Sequence, residues 1–184
     1  MLRSALQTMG CVFLVCGLSP AVWADEQVSS LFGIEVGSTH LDAQDDLERS
    51  FTKDVTDIGV RLGARSESYR FLAGYHFIQD FTEKSSDVST WMATGQIDFL
   101  LYHWSLSQAW SVEPYIGMNG GYMGYKYGSL VDEQGFTYGA DAGLLLDMQY
   151  FDFDIGVRYT GAELQSVNTC LNAYIGIDFK IATN

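Results

Sequence analysis

An apolar–polar alternation of period two, recurring in eight separate stretches, restricts this chain more than any other feature. That period sends successive side chains to opposite faces of a strand, so each stretch reads as a strand with two unlike faces. Phe32, Ile34 and Val36 alternate with Gly33, Glu35 and Gly37, and Ile58, Val60, Leu62 and Ala64 with Gly59, Arg61, Gly63 and Arg65. The same rhythm sets Phe71, Ala73, Tyr75 and Phe77 against Arg70, Leu72, Gly74 and His76. It continues through 91–101, 113–122, 136–147, 151–159 and 171–181, more weakly in 113–122 because of its glycines.

The two faces differ in kind. One is apolar and rich in aromatic rings; the other mixes glycine with charges of both signs. In a soluble sheet the apolar set would turn inward. Here Glu35, Asp98, Asp141, Asp154 and Asp178 are matched by Arg61, Arg65, Arg70, Arg158 and Lys180. Glycines and opposed charges suit the narrow lumen of a small barrel, where side chains must fill the interior and satisfy one another. The expected fold is therefore all-β, an eight-stranded antiparallel up-and-down transmembrane β-barrel. Those ten residues would form a lumen salt-bridge network, and the apolar set would face hydrocarbon. Phe32, Phe71, Phe99, Phe151 and Phe179 fall near one rim, and Phe77, Trp91, Tyr122, Phe136, Tyr138 and Tyr159 near the other, as two interfacial girdles.

The connectors support the same topology. Long polar segments at 42–56, 80–89, 125–135 and 161–169 alternate with shorter ones at 66–68, 105–108 and 147–150. Four outer loops and three inner turns are what such a barrel shows.

Composition sets the remaining limits. Lys and Arg number 10 against 23 Asp and Glu, a formal net charge of −13, which disfavours nucleic acid as a partner. With 47% hydrophobic residues the chain is too apolar for acidic disorder. Residues 1–24 read as a secretory signal peptide: Arg3 is the positive element, 5–18 are largely apolar, and Val22-Trp23-Ala24 offers a cleavage site before Asp25. Residues 25–184 would form the barrel. Cys11 and Cys16 raise a lipoprotein signal as the rival reading, although Val15 before Cys16 does not suit it. Cys170 alone remains after cleavage, so no intrachain disulfide can form.

Three segments carry a family resemblance: Val112-Glu113-Pro114-Tyr115-Ile116-Gly117, Phe153-Asp154-Ile155-Gly156-Val157-Arg158-Tyr159, and Tyr174-Ile175-Gly176-Ile177-Asp178-Phe179-Lys180-Ile181. With these the chain resembles the small outer-membrane β-barrels of the OmpA-like transmembrane-domain type. The resemblance implies the cell outer membrane of a diderm, Gram-negative bacterium, and contact with outer-membrane lipid and lipopolysaccharide. It also implies insertion by the barrel-assembly machinery, which reads a terminal aromatic residue in this family. Ile181 and the tail 182–184 depart from that pattern, with Phe179 the nearest aromatic.

No motif names a reaction. His40, His76 and His103 share no metal-ligand spacing, so no metal or cofactor is expected. His103-Trp104-Ser105 superficially matches a lipid A deacylase, a similar-looking barrel enzyme, yet it falls at the inner rim, away from outer-leaflet lipid. Asp152 and Asp154 could pair as acid and base, but Arg158 offers a counter-ion. The acidic run 42–48 lacks the calcium-loop order and reads as a solvated loop. The expected role is non-enzymatic: envelope integrity, or surface interaction and adhesion through loops at 42–48 and 125–135 with an unidentified surface ligand. A narrow pore is the transport alternative, and a soluble periplasmic barrel a third.

Overall fold

The structure is a computed structural model that describes residues 28–44, 50–79, 88–107, 109–127 and 131–181. The leader read over 1–24, the acidic residues 45–48 and the tail 182–184 lie outside the described residues. The strands are β1 (Ser29–Gln44), β2 (Ser50–Arg65), β3 (Tyr69–Gln79), β4 (Val88–Leu100), β5 (Trp104–Ser105), β6 (Trp110–Tyr127), β7 (Val131–Met148), β8 (Phe151–Ala162) and β9 (Val167–Ile181). Each long strand pairs antiparallel with its neighbour, β4 pairs with β6, and β1 pairs with β9. Eight long strands thus close into a barrel. The two-residue β5 is an extra pairing against β6 inside a turn.

Closure follows from parity. Ile34 aligns with Val60 on one side and Ile177 on the other, and all three face out, while Gly33 lies between Arg61 and Asp178 on the inside. A one-residue slip would exchange the faces, so the alternation fixes the register. Ile34, Val36, Val60, Leu62, Ile116, Ile155, Val157 and Ile175 are all about half exposed on the outer wall. An apolar band of this extent calls for an apolar surrounding medium. No helix among the described residues is long and apolar enough to cross a membrane, so any crossing rests on the strands.

Aromatic rings edge the band. Near the end where β1 begins and β9 ends, Phe179 aligns with Phe32 and Phe151, and Tyr69 with Phe99. Toward the far end the rings form a chain of contacts, Phe77 to Tyr75 at 5.0 Å, Tyr75 to Trp91 at 6.2 Å, Trp91 to Tyr122 at 6.1 Å and Tyr122 to Phe136 at 5.3 Å.

Beyond that second girdle the faces invert. Ser38, His40, Thr52, Asp54, Gln79, Lys126, Asp132 and Gln134 now face outward, exposed. Leu41, Ala43, Val55, Ile78, Met92, Met123, Tyr125, Val167 and Cys170 turn inward as a buried apolar cluster. Over the stretches read as strands the apolar set faces out as expected; the reversed chemistry lies in the extensions beyond them, on unchanged side-chain parity. The same extensions correct the loop boundaries. Residues 42–44 and 50–56 are strand rather than loop, as are 88–89, 125–127, 131–135, 161–162 and 167–169. They pair because their inward residues have an apolar layer to pack into, and polar composition alone hides this.

The short turns also differ from expectation. Residues 66–68 form a tight turn in which Ser66 Oγ accepts from the amides of Ser68 and Tyr69. The connector expected around 105–108 spans 101–109 and holds β5, and the last turn is only 149–150.

The band makes a depth-dependent prediction. Val60→Arg places a charge in mid-band and should destabilise the barrel in lipid vesicles by about 2–4 kcal/mol, whereas Ser38→Arg, past the girdle, should cost about 0–1 kcal/mol. Denaturant unfolding from vesicles measures both. Equal tolerance of the two would contradict the orientation.

Candidate functional site

Inward parity brings the charged residues into stacked tiers. The inner tier lies at the end where β1 begins and β9 ends, where Arg65 closes β2 and meets Glu113 at 2.5 Å, Asp152 at 2.7 Å and Asp147 at 3.1 Å. Lys180 Nζ meets Asp147, stands 2.8 Å from Asp152 and donates to the Met148 carbonyl at 2.7 Å.

The middle tier is fully enclosed. Arg61 contacts Asp178 at 2.6 Å, Glu35 at 3.0 Å and Asp154 at 3.0 Å. Arg70 contacts Asp98 at 2.8 Å, Asp154 at 2.9 Å and Asp178 at 3.2 Å. Arg158 contacts Glu35 and Asp141, each at 2.9 Å, and donates to Gln96 Oε1 at 3.0 Å. Gln96 in turn donates to Asp98, which links the Arg158 group to the Arg70 group. Tyr115 donates to Asp154 at 2.8 Å, and its oxygen is left to accept from Tyr174 at 2.7 Å. The guanidinium of Arg70 lies over the Tyr115 ring and that of Arg158 over the Tyr174 ring, at 4.9 and 4.8 Å from the centroids.

The geometry explains why these residue types occur together. A guanidinium presents a planar fork of donors, so one arginine can serve carboxylates from several strands at once. Reaching over β1 to β9 also needs room there. Gly176 supplies it: a Cβ there would collide with the Arg61 guanidinium. Enclosed charges are tolerable only when every one is matched, since each costs several kcal/mol to desolvate.

The structure brings Glu35, Arg61, Arg70, Asp98, Asp141, Asp154, Arg158 and Asp178 into the middle tier and Arg65 and Lys180 into the inner one. The alternation also puts Gln96, Glu113, Tyr115, Asn119, Asp147 and Tyr174 on the inner face, though the expected network leaves them out, and Asp57 lies in a segment expected to border a loop. All of them sit on inward parity, and that was the available signal. Asp152 and Asp154 do not act together: Asp152 belongs to Arg65 and Lys180, Asp154 to Arg61 and Arg70.

Nearer the apolar cluster, His76 Nδ1 stands 3.2 Å from Asp57 and 3.3 Å from Glu35. The other two histidines are on exposed positions. His40 pairs with Asp54 at 2.7 Å, and His103 with Glu113 at 2.7 Å. Ser111 Oγ donates to the same Glu113 oxygen at 3.3 Å, so the carboxylate separates hydroxyl from imidazole. Among the described residues no hydrogen bond joins His103 to Ser105, the contact that a base and nucleophile need.

Removing one guanidinium should expose the cost of the network. Arg70→Met leaves Asp98, Asp154 and Asp178 short of a counter-ion and should destabilise the folded barrel by about 3–5 kcal/mol. Lys180→Met in the inner tier should cost less, about 1–3 kcal/mol, since Asp152 and Asp147 both keep Arg65 and Asp147 is partly exposed to water. Denaturant titration in matched detergent checks the order.

Comparison with solved structures places this architecture. Neisserial surface protein A (NspA) superimposes with a TM-score of 0.61 at 18% identity, over 82% of this chain and 97% of that one. Outer membrane protein H (OprH) from P. aeruginosa gives 0.57 at 17%, over 83% and 99%. The N-terminal beta-barrel domain of Pseudomonas aeruginosa OprF gives 0.53 at 12%, over 84% and 100%. No family model and no curated protein sequence matches, so the likeness lies in the fold. The chain has the closed eight-stranded antiparallel barrel fold of the small outer-membrane barrel proteins.

Proposed function

We propose that this chain is an integral, non-enzymatic outer-membrane barrel whose role, structural or interactive, is carried by its outer end. The observation that carries the reading is the inversion of faces at the second girdle. Below it the wall is apolar outside and charged inside; above it the wall is polar outside and apolar inside. A wall built this way passes from hydrocarbon into water. On β1 the stem from Ser38 to Gln44 would then rise roughly 15–20 Å above the interface, given strand rise and barrel tilt. It presents His40, Thr52, Asp54, Lys126, Asp132 and Gln134 to lipopolysaccharide headgroups and to surface ligands.

The interior argues against the pore alternative. Arg70, Arg158 and Tyr115 are fully buried across the middle of the lumen, and Leu41, Met123 and Tyr125 fill it above. An eight-stranded barrel has room for side chains or a small ligand, and here side chains take it. Export through a cleaved leader and insertion by the barrel-assembly machinery complete the proposal, on the leader pattern and the family resemblance respectively.

Two measurements test it. A peptide tag inserted in the 80–87 connector should bind antibody on intact cells, and the purified protein should give no stable steps in planar-bilayer conductance. Labelling only after the outer membrane is broken would overturn the location, and reproducible single-channel events would favour the pore.

A further inference from the structure

We propose that the lumen holds a divalent-cation site, best fitted to zinc, formed by Glu35, Asp57 and His76 just beneath the apolar layer. The three come from β1, β2 and β3, and their ligand atoms all lie within 4.8 Å of one another, fully buried. Register explains the meeting. Glu35 aligns with Gly59 and Gly59 with His76, while Asp57 is the next inward residue along β2.

The distances suit a metal. His76 Nδ1 is nearly equidistant from Asp57 Oδ1, at 3.2 Å, and Glu35 Oε1, at 3.3 Å. One N–H can point well at only one of them. For bonds of about 2.0–2.1 Å, neighbouring ligand atoms of a tetrahedral zinc stand about 3.3 Å apart. Three protein ligands would leave a fourth position for water.

Each ligand is also held from behind, as metal ligands are. Arg61 donates to the far Glu35 oxygen, Oε2, at 3.0 Å, Arg158 donates at 2.9 Å to the facing Oε1, which keeps a second lone pair for the ion, and Asn172 Nδ2 donates to Asp57 Oδ2 at 2.5 Å. Thr94 Oγ1 lies 3.4 Å from His76 Nε2, on the ring edge that a metal at Nδ1 leaves as donor. Space is provided by Gly59, where a Cβ would stand 2.8 Å from His76 Nδ1 and 3.0 Å from Glu35 Cγ. Thr39 Oγ1 and Asn172 Oδ1, on register-paired residues of β1 and β9, are buried without a hydrogen-bond partner. Buried polar oxygens of this kind are uncommon unless a ligand or water meets them. Charge points the same way: Arg61, Arg70 and Arg158 face Glu35, Asp98, Asp141, Asp154 and Asp178, and Asp57 adds a further negative group. A dication beside Asp57 offsets that excess.

The test folds the full barrel in detergent with zinc chloride, strips surface metal on a chelating resin and counts bound metal by elemental analysis. About one zinc per chain should remain in the wild type and in a His40→Ala/His103→Ala double variant, and be lost from His76→Gln. A wild type that retains no zinc, a His76→Gln protein that keeps it, or loss in the double variant would each overturn the proposal. Should His76→Gln fail to fold, as judged by heat-modifiable gel migration, X-ray absorption of the wild type decides. One imidazole with oxygen ligands at about 2.0–2.1 Å is expected, and zinc bound without imidazole overturns the site.

Discussion

Everything in this molecule depends on the ladder between β1 and β9, running from Ser30 opposite Ile181 to Ala43 opposite Val167. An open sheet of these strands would leave two edges of unpaired amides and carbonyls, which hydrocarbon cannot hydrogen-bond. Closure removes both edges and, in the same act, creates an interior. The apolar residues then have only the outside to face, and the charged ones only the inside. The register shift between Asp42 and Ala43 falls within the outer stem, past Leu41 of its apolar core.

The interior is solved differently at different heights. Where hydrocarbon would surround the wall, the lumen is filled by arginines clasped among carboxylates and backed by Tyr115 and Tyr174. Above the second girdle, Leu41, Met92, Met123 and Val167 pack as in a soluble barrel. The change has a physical reason. A wall with water outside can keep polar groups there and bury apolar ones, whereas a wall in lipid must do the reverse. Arginine serves the middle tier better than lysine because one fork reaches across the lumen to strands far apart in sequence, as Arg70 does to Asp154.

Parity made the strands and their inward charges legible in the sequence, because alternation survives whatever the loops do. Glu35, Arg61, Arg158 and Asp178 are visible as interior residues on that basis alone. What parity cannot show is which charges meet. Arg61 and Asp154 touch across the lumen, and their contact depends on the stagger of the closed barrel rather than on spacing. Residues 50–56 look like loop in the sequence because Thr52, Lys53 and Asp54 are polar, whereas their ladder with β1 and the burial of Val55 make them strand. Glu35, Asp57 and His76 form no sequence motif for the same reason: three strands deliver one residue each.

The central claim is that side-chain parity runs unbroken along the strands, and that at the second girdle the outer face turns from apolar to polar while the inner face turns from charged to apolar. Nitroxide labels placed singly along β2 from Thr52 to Leu62, on a background without native cysteines and in lipid bilayers, test it through collision with oxygen and with a water-soluble nickel complex. Labels at 58, 60 and 62 should respond to oxygen, those at 52 and 54 to nickel, and those at 55 and 61 to neither. Oxygen response persisting through 52 and 54, or nickel response at 60, would contradict the inversion and the barrel orientation that rests on it.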